Sequence, residues 1–328
     1  MKAVWYDKQG KAKDVMVFGE MPTPNAGAGE VRVKLEASGT NPSDTYRRGG
    51  GAGAMEYPRV IANSDGAGVI DQVGKGVTRF KEGQRVWLYN GQRNGRAFGT
   101  AAEYIALDET LVQPLPDNMS FAEGATLGVP GMTAWVCLFH AGPIDGQTVL
   151  VTGGAGAVGH YGVQLAKAGG AKVIATVSSA EKAAQAKKAG ADLVVNYKTE
   201  DVAEKILAFD KHGVDRVVDV DFGGNWPVTE KILARFSTVA IYASRGNTDP
   251  KINVRTLTSK TITIYGMQLP LTPMPLQRKA QQGMLEWLAG GRRIHNVSAQ
   301  FPLAQTADAH LAVEAGTKMG TVIVDCAK

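Results

Sequence analysis

The run TVLVTGGAGAVGHYGVQLAKAGGAKVIATVSS, residues 148–179, sets Gly154, Gly156 and Gly159 in a G-x-G-x-x-G spacing. This order suits a ligand that carries a pyrophosphate. A side chain at the glycines would hold the backbone away from the phosphates. The N–H groups that open the following helix, at Ala157 and Val158, would turn its positive dipole end toward them. Three glycines alone are a weak signal. Here an apolar strand precedes them, a helix follows, and a second strand, AKVIATV, ends at Val177 about 20 residues on.

That second strand runs into Ser178 and Ser179. An acid at this place would accept hydrogen bonds from the ribose hydroxyls and select NAD. A serine repels no 2′-phosphate and can donate to one, and Lys182, just inside the next helix, can supply a cation. The serines therefore point to NADPH. A second reading stands beside it: Ser178 and Glu181 form an S-x-x-E capping box, so the serine would cap the helix. The two roles are compatible, although Glu181 would oppose the phosphate if it faced the ribose.

The elements that must carry these residues change character along the chain. The first third reads as β-structure: a strand at residues 2–6, then EVRVKLE with Val31, Val33 and Leu35 on one face and Arg32, Lys34 and Glu36 on the other. Glycine-punctuated short strands continue to about residue 90. SFAEGATLGVPGMTAWVCLFHAG reads as helical segments broken at residues 128–131. From Thr148 strands and helices alternate: TVLVTG, a helix around 158–168, AKVIATV, a helix over EKAAQAKKAG, DLVVNY, a helix near 202–209, then DRVVDV, STVAIYAS and TITIYG. Such alternation predicts a doubly wound parallel sheet. A long helix, LQRKAQQGMLEWLAGG, and a last strand, TVIVDC, close the chain.

With 328 residues there is enough chain for two cores, and 44% hydrophobic against 20% charged content argues against disorder. Net charge is +5, with lysine and arginine scattered. Such a field favours anionic ligands, while no basic cluster interleaved with aromatics points to nucleic acid. The two cysteines, Cys137 and Cys326, form no CxxC. They give neither a disulfide framework nor a zinc spacing, and a reducing, cytoplasmic setting is expected. MKAVWYDKQGK lacks the apolar core of a signal peptide. No run of about 18 apolar residues would span a membrane.

Several ordered motifs carry a resemblance: TNPSDTYRRG (40–49), SDGAGVIDQVGKGV (64–77), GVPGMTAW (128–135), VTGGAGAVG (151–159), SSAEKAAQAKKAGAD (178–192) and VVNY (194–197). Over essentially its full length the chain resembles the zinc-independent quinone oxidoreductases, the zeta-crystallin-like branch of the medium-chain dehydrogenase/reductases. The resemblance implies an α/β protein with a GroES-like β-rich catalytic domain at 1–122, completed by 267–328, around a Rossmann NADPH-binding domain at 123–266. It implies that Pro130 and Thr133 lie beside the nicotinamide ribose and phosphates. Lys182 and Tyr197 would bind the 2′-phosphate, with Ser178 nearby. It also implies an oligomer, and TITIYG is expected to extend the sheet into a partner as a homodimer. The chain departs from the family pattern at Asn63-Ser64-Asp65, where GxE is usual, at Ala243–Asn247, where the turn is usually glycine-rich, and at Thr321, where lysine often stands.

No zinc is expected. In the zinc-dependent sister branch a soft ligand set is needed, but Ser43 stands about where one ligand would be and Asp65 where GHE would lie. The five histidines are dispersed, and His310 is read as structural. Without a Lewis acid, acceptors that are already electrophilic remain: quinones, or activated alkenes such as enones. Hydride transfer builds negative charge on an acceptor oxygen, and a nearby donor would lower the barrier. Asn41 and Tyr46 are the candidates, with the alternatives that Asn41 caps a helix and Tyr46 only walls the pocket. Tyr242, Met267 and Gln268 are expected at sheet ends on the nicotinamide side. The rival to an enzyme is a non-catalytic NADPH- and RNA-binding protein.

Overall fold

The computed structural model describes residues 1–93, 95–291 and 293–327. The chain forms two compact units, Met1–Val129 with His295–Lys328, and Pro130–Ile294.

The first unit is built on β-sheets. Its larger sheet orders Val297–Pro302, Thr321–Asp325, Glu30–Thr40, Asp65–Val73, Arg85–Leu88 and Val112–Pro114, with Tyr104–Asp108 also paired to Glu30–Thr40. A smaller sheet joins Val17–Glu20, Lys2–Tyr6 and Val60–Ile61. The alternation in EVRVKLE is realised: Val31, Val33 and Leu35 are buried in the core of this unit, while Lys34 is exposed. Each such side chain contributes about 1.5–3 kcal/mol on burial.

The second unit is an open, wholly parallel sheet. Its order is Leu193–Asn196, Lys172–Val177, Thr148–Val151, Val214–Asp219, Leu233–Ile241 and Thr263–Gly266. In sequence terms this is 3-2-1-4-5-6, the doubly wound order, and the order reverses between Thr148–Val151 and Val214–Asp219. The strands run apolar because both faces are covered. Helices Ala157–Ala168, Ala180–Lys188 and Val202–Phe209 fall within two residues of expectation. A helix at Phe222–Ile232 does not stand out in the sequence, since it holds two glycines and Pro227. It stands because Phe222, Trp226, Thr229 and Ile232 recur on one buried face.

The unit boundaries differ from the expected 122/123 and 266/267. They fall at 129/130 and 294/295. The short helix Phe121–Gly124 packs on Glu30–Thr40 and Asp65–Val73, which keeps its segment in the first unit. The long helix Met274–Ala289 packs on Met132–Phe139, Gly283 facing Trp135 and Gly131 facing Met284, which keeps it in the second. Among the described residues no helix is long and apolar enough to cross a membrane.

Candidate functional site

The glycine turn of the second unit leaves the Thr148–Val151 strand at the point where strand order reverses. Open α/β sheets bind ligands in the crevice at such a point. Gly154 N–H donates to the Thr176 carbonyl at 3.0 Å, and Gly156 N–H to the Gly153 carbonyl at 2.9 Å, closing the turn. A Cβ on Gly159 would overlap the Gly153 carbonyl, so only glycine lets helix and turn approach this closely. Gly156 is the N-cap of the 12-residue helix Ala157–Ala168, with Ala157 and Val158 its first two residues.

Ser178, Lys182 and Tyr197 come together at the next two strand ends. Lys182 Nζ donates to Ser178 Oγ at 3.1 Å. Tyr197 N–H donates to the Val177 carbonyl at 3.0 Å, which sets this residue beside Ser178, and its side chain is 54% exposed. Among the described residues Lys182 has no ion-pair partner within 4 Å. The capping reading shifts by one residue. The helix N-cap is Ser179, whose Oγ accepts from Lys182 N–H at 3.3 Å. Both serines suit a cap by type; the chain turns into the helix only at Ala180, after an extended Ser179. Ser178 Oγ is thereby left to Lys182, and Glu181 is exposed.

A cavity of about 370 Å³ is lined by Tyr197, with Thr152, Thr176, Asp201, Asn225 and Val228 among others, and by neither Ser178 nor Lys182. That volume lies in the range of about 300–1,000 Å³ usual for small-molecule sites. Asp219 is buried at the end of its strand, where burial raises its carboxyl above the usual range. Oδ1 accepts from Thr152 Oγ1 at 3.0 Å and Asn225 Nδ2 at 2.7 Å, so Asp219 ties the glycine turn to the next crossover. Asp221 fastens the Ala243–Asn247 turn, accepting from Arg245 N–H and Gly246 N–H at 2.8 Å each. Tyr242 and Met267 directly follow the last two strands, at their carboxyl ends. Tyr242 N–H donates to the Asp219 carbonyl and Met267 N–H to the Ile241 carbonyl. Pro130 and Thr133 are buried in the segment that opens the second unit.

Asn41 and Tyr46 belong to the first unit, described by itself. Asn41 is buried and is the N-cap residue of helix Pro42–Arg48. Its Nδ2 donates to Asp65 Oδ2 at 2.7 Å, which commits one of its two amide hydrogens. Tyr46 lies on the same helix and is 56% exposed. Around Asn41 runs a buried polar network that sequence reading missed. Asp44 Oδ2 accepts from Asn41 N–H at 2.8 Å, and its Oδ1 accepts from Ser64 Oγ at 2.9 Å and from Arg93 Nη2 at 2.8 Å. Farther along, Asn63 Nδ2 donates to Ser38 and Thr40 hydroxyls, and His310 Nε2 meets Asn63 Oδ1 at 2.9 Å. Burial holds the His310 imidazole down to about 4, in keeping with a structural role.

Two family models match the chain: an alcohol dehydrogenase GroES-like domain at residues 27–117 and a zinc-binding dehydrogenase at residues 157–290. The chain is 31% identical to the quinone oxidoreductase of Rattus norvegicus, over 99% of this chain and 97% of that protein. The chain belongs to the quinone oxidoreductase branch of the medium-chain dehydrogenase/reductases. A solved Escherichia coli quinone oxidoreductase complexed with NADPH matches with a TM-score of 0.86 and 26% identity, over 99% of this chain and 100% of that one. The 2-methylene-furan-3-one reductase of Solanum lycopersicum is 37% identical over 64% of this chain and 55% of that protein.

As a member of that branch the chain is an oxidoreductase with a GroES-like domain and a Rossmann-type sheet. Among the described residues the zinc in the name of one family model finds no fitting donors. Ser43 Oγ accepts from the Arg93 guanidinium at 3.1 Å, a cation where a metal ligand would be needed. Among the described residues no group of three or more His, Cys, Asp or Glu could hold a metal ion. Cys137 and Cys326 are buried in separate units, and burial pushes both thiols well up, away from the thiolate that zinc binds.

Proposed function

We propose that this oxidoreductase takes NADPH and delivers hydride to a quinone. One observation carries the cofactor reading: Lys182 Nζ on Ser178 Oγ at 3.1 Å, at the strand end where an acid would select NAD. NADPH, when bound, supplies the hydride, and one proton from solvent or a donor completes the two-electron reduction. Ser178, Lys182 and Tyr197 hold the 2′-phosphate. The turn at Gly154, Gly156 and Gly159, with the N–H groups of Ala157 and Val158, holds the pyrophosphate. Pro130, Thr133, Tyr242 and Met267 orient the nicotinamide end. Asn41 and Tyr46 are the donors proposed for the acceptor oxygen; Tyr46, being exposed, is the freer of the two. The quinone reading is supported by the relatives' names. The tomato furanone reductase favours an activated alkene as the second reading.

The edge of the Thr263–Gly266 strand, which pairs on one side with Leu233–Ile241, is the proposed seam of a homodimer. The cytoplasm is the proposed location.

The test follows NADPH and NADH oxidation by chelator-treated protein, with benzoquinone, naphthoquinone and an aliphatic enone. NADPH should be consumed with a quinone, at a rate the chelator leaves unchanged. A clear preference for NADH would overturn the cofactor reading. Turnover only with the enone would move the acceptor to the second reading.

The glycine turn gives a separate expectation. In Gly159→Ala the new methyl must push the Gly153 carbonyl. Overpacking of this kind costs about 1–3 kcal/mol, and NADPH binding, read by fluorescence titration, should weaken at least tenfold. Unchanged affinity would mean that the turn does not hold the phosphates.

A further inference from the structure

Asp65 is a fully buried carboxyl in the middle of the first unit. All of its side-chain partners are donors. Oδ2 accepts from Asn41 Nδ2 at 2.7 Å, and both oxygens accept from Val129 N–H at 2.9 Å each. Burial pushes the carboxyl up to about 8, and the Asn41 and Val129 bonds oppose that rise. A Cβ on Gly128 would overlap Asp65 Oδ1, so the carboxyl fits against a bare α-carbon.

The segment it grips is irregular. Within Leu127–Gly131, Gly128 has φ −60° and ψ −108°, outside the helical region. Pro130 follows Val129 and has no N–H. Val129 N–H is therefore the last main-chain donor before Gly131, and Asp65 occupies it with both oxygens. A non-helical kink of this sort persists only when its surroundings over-determine it. Here the fixing contact comes from a residue 64 positions earlier in the chain.

We propose that Asp65 is a positioning residue: oriented by Asn41, it holds Gly128 and Val129 in their kinked conformation and so fixes the backbone that feeds Pro130 and Thr133. The inference rests on the proposed role of those two residues at the nicotinamide end. It also gives Asn41 a task that needs no contact with the acceptor.

Asp65→Asn keeps the volume but sets a permanent amide donor against Asn41 Nδ2 or Val129 N–H; the contrast is read above pH 8, where the wild-type carboxyl is ionised and both oxygens accept. Three readings on the full chain test the proposal. Backbone hydrogen exchange at Val129 should accelerate at least tenfold. NADPH affinity should stay within about threefold, because Ser178, Lys182 and Tyr197 are untouched. The kcat per NADPH-titrated site should fall at least tenfold, with a larger deuterium isotope effect from C4-labelled NADPH. A purely structural Asp65 would lower Tm and the number of titratable sites but leave kcat per site unchanged, and that result overturns the proposal. So does unchanged exchange at Val129. Should Asp65→Asn fail to fold, Gly128→Ala leaves every polar group in place while pressing a methyl on Oδ1, and it should give the same split in milder form. If the wild-type chain oxidises no NADPH with any acceptor, the functional reading fails, while the exchange reading still decides whether Asp65 holds the kink.

Discussion

Lys182→Ala should weaken NADPH binding by about ten- to a hundredfold and leave NADH binding within twofold. The Lys182 ammonium reaches Ser178 Oγ, and no acid among the described residues is within 4 Å to neutralise it. A hydrogen bond to a charged group is worth about 1.5–3 kcal/mol, and each 1.4 kcal/mol is about tenfold in affinity. Only the phosphorylated ribose meets that cation, so the loss should fall on NADPH alone. Titration of the wild-type and variant chains with both cofactors reads the ratio directly. The reverse change, Ser178→Asp, brings a carboxylate to the same strand end, where it repels a 2′-phosphate and accepts from a free ribose hydroxyl. It should carry the preference toward NADH. If Lys182→Ala lowered affinity for both cofactors equally, the lysine would be serving the fold or the pyrophosphate, and the NADPH reading would lose its main support.

How far the sequence disclosed this site depended on the range of the interactions involved. The glycine turn and the flanking strands were readable because local rules set them: period-two burial, a tight turn, a helix start. The two serines show the limit of such rules. Either can cap a helix by type, and one residue of register decides which stays free for a phosphate. The Phe222–Ile232 helix was obscured because its propensity is poor while its burial pattern is good, and tertiary packing won. The joins between the two units are hard to read from sequence for a related reason. An amphipathic helix such as Met274–Ala289 announces a buried face but not what buries it; the answer lies in Gly131 and Gly283, opposite Met284 and Trp135. Least legible were the buried polar groups. Arg93 meets Asp44 across 49 positions and Val129 meets Asp65 across 64, and no local pattern marks either pair.

Arg93→Met should destabilise the chain by about 3–5 kcal/mol at neutral pH, with a larger deficit at pH 8 than at pH 5. The Arg93–Asp44 pair is 2.8 Å apart, with side chains 5% and 1% exposed. Removing one partner of a buried pair leaves the other uncompensated, which costs about 3–5 kcal/mol. Removing both leaves no orphan, so Asp44→Asn with Arg93→Met should lose less than the sum of the single changes. Beyond the charge left on Asp44, a pH dependence comes through Asp65. Burial is the main cause of its raised carboxyl, at about 8, Asp44 adds to the rise, and Arg93 opposes it. Between about pH 4 and 8 the folded chain therefore holds a proton that the unfolded chain has released. Stability falls with rising pH across that window, because the folded state binds more protons there. Without Arg93 the proton is held more tightly, so the fall steepens and reaches further toward alkaline pH. Urea unfolding at pH 5 and pH 8 measures both effects. A loss under about 1 kcal/mol at each pH would mean that the pair is worth no more than a surface ion pair. A deficit that did not grow with pH would mean that Arg93 does not act on Asp65. In Asp65→Asn the ionisable group is gone, and with Arg93 in place the slope of stability with pH in this window should flatten.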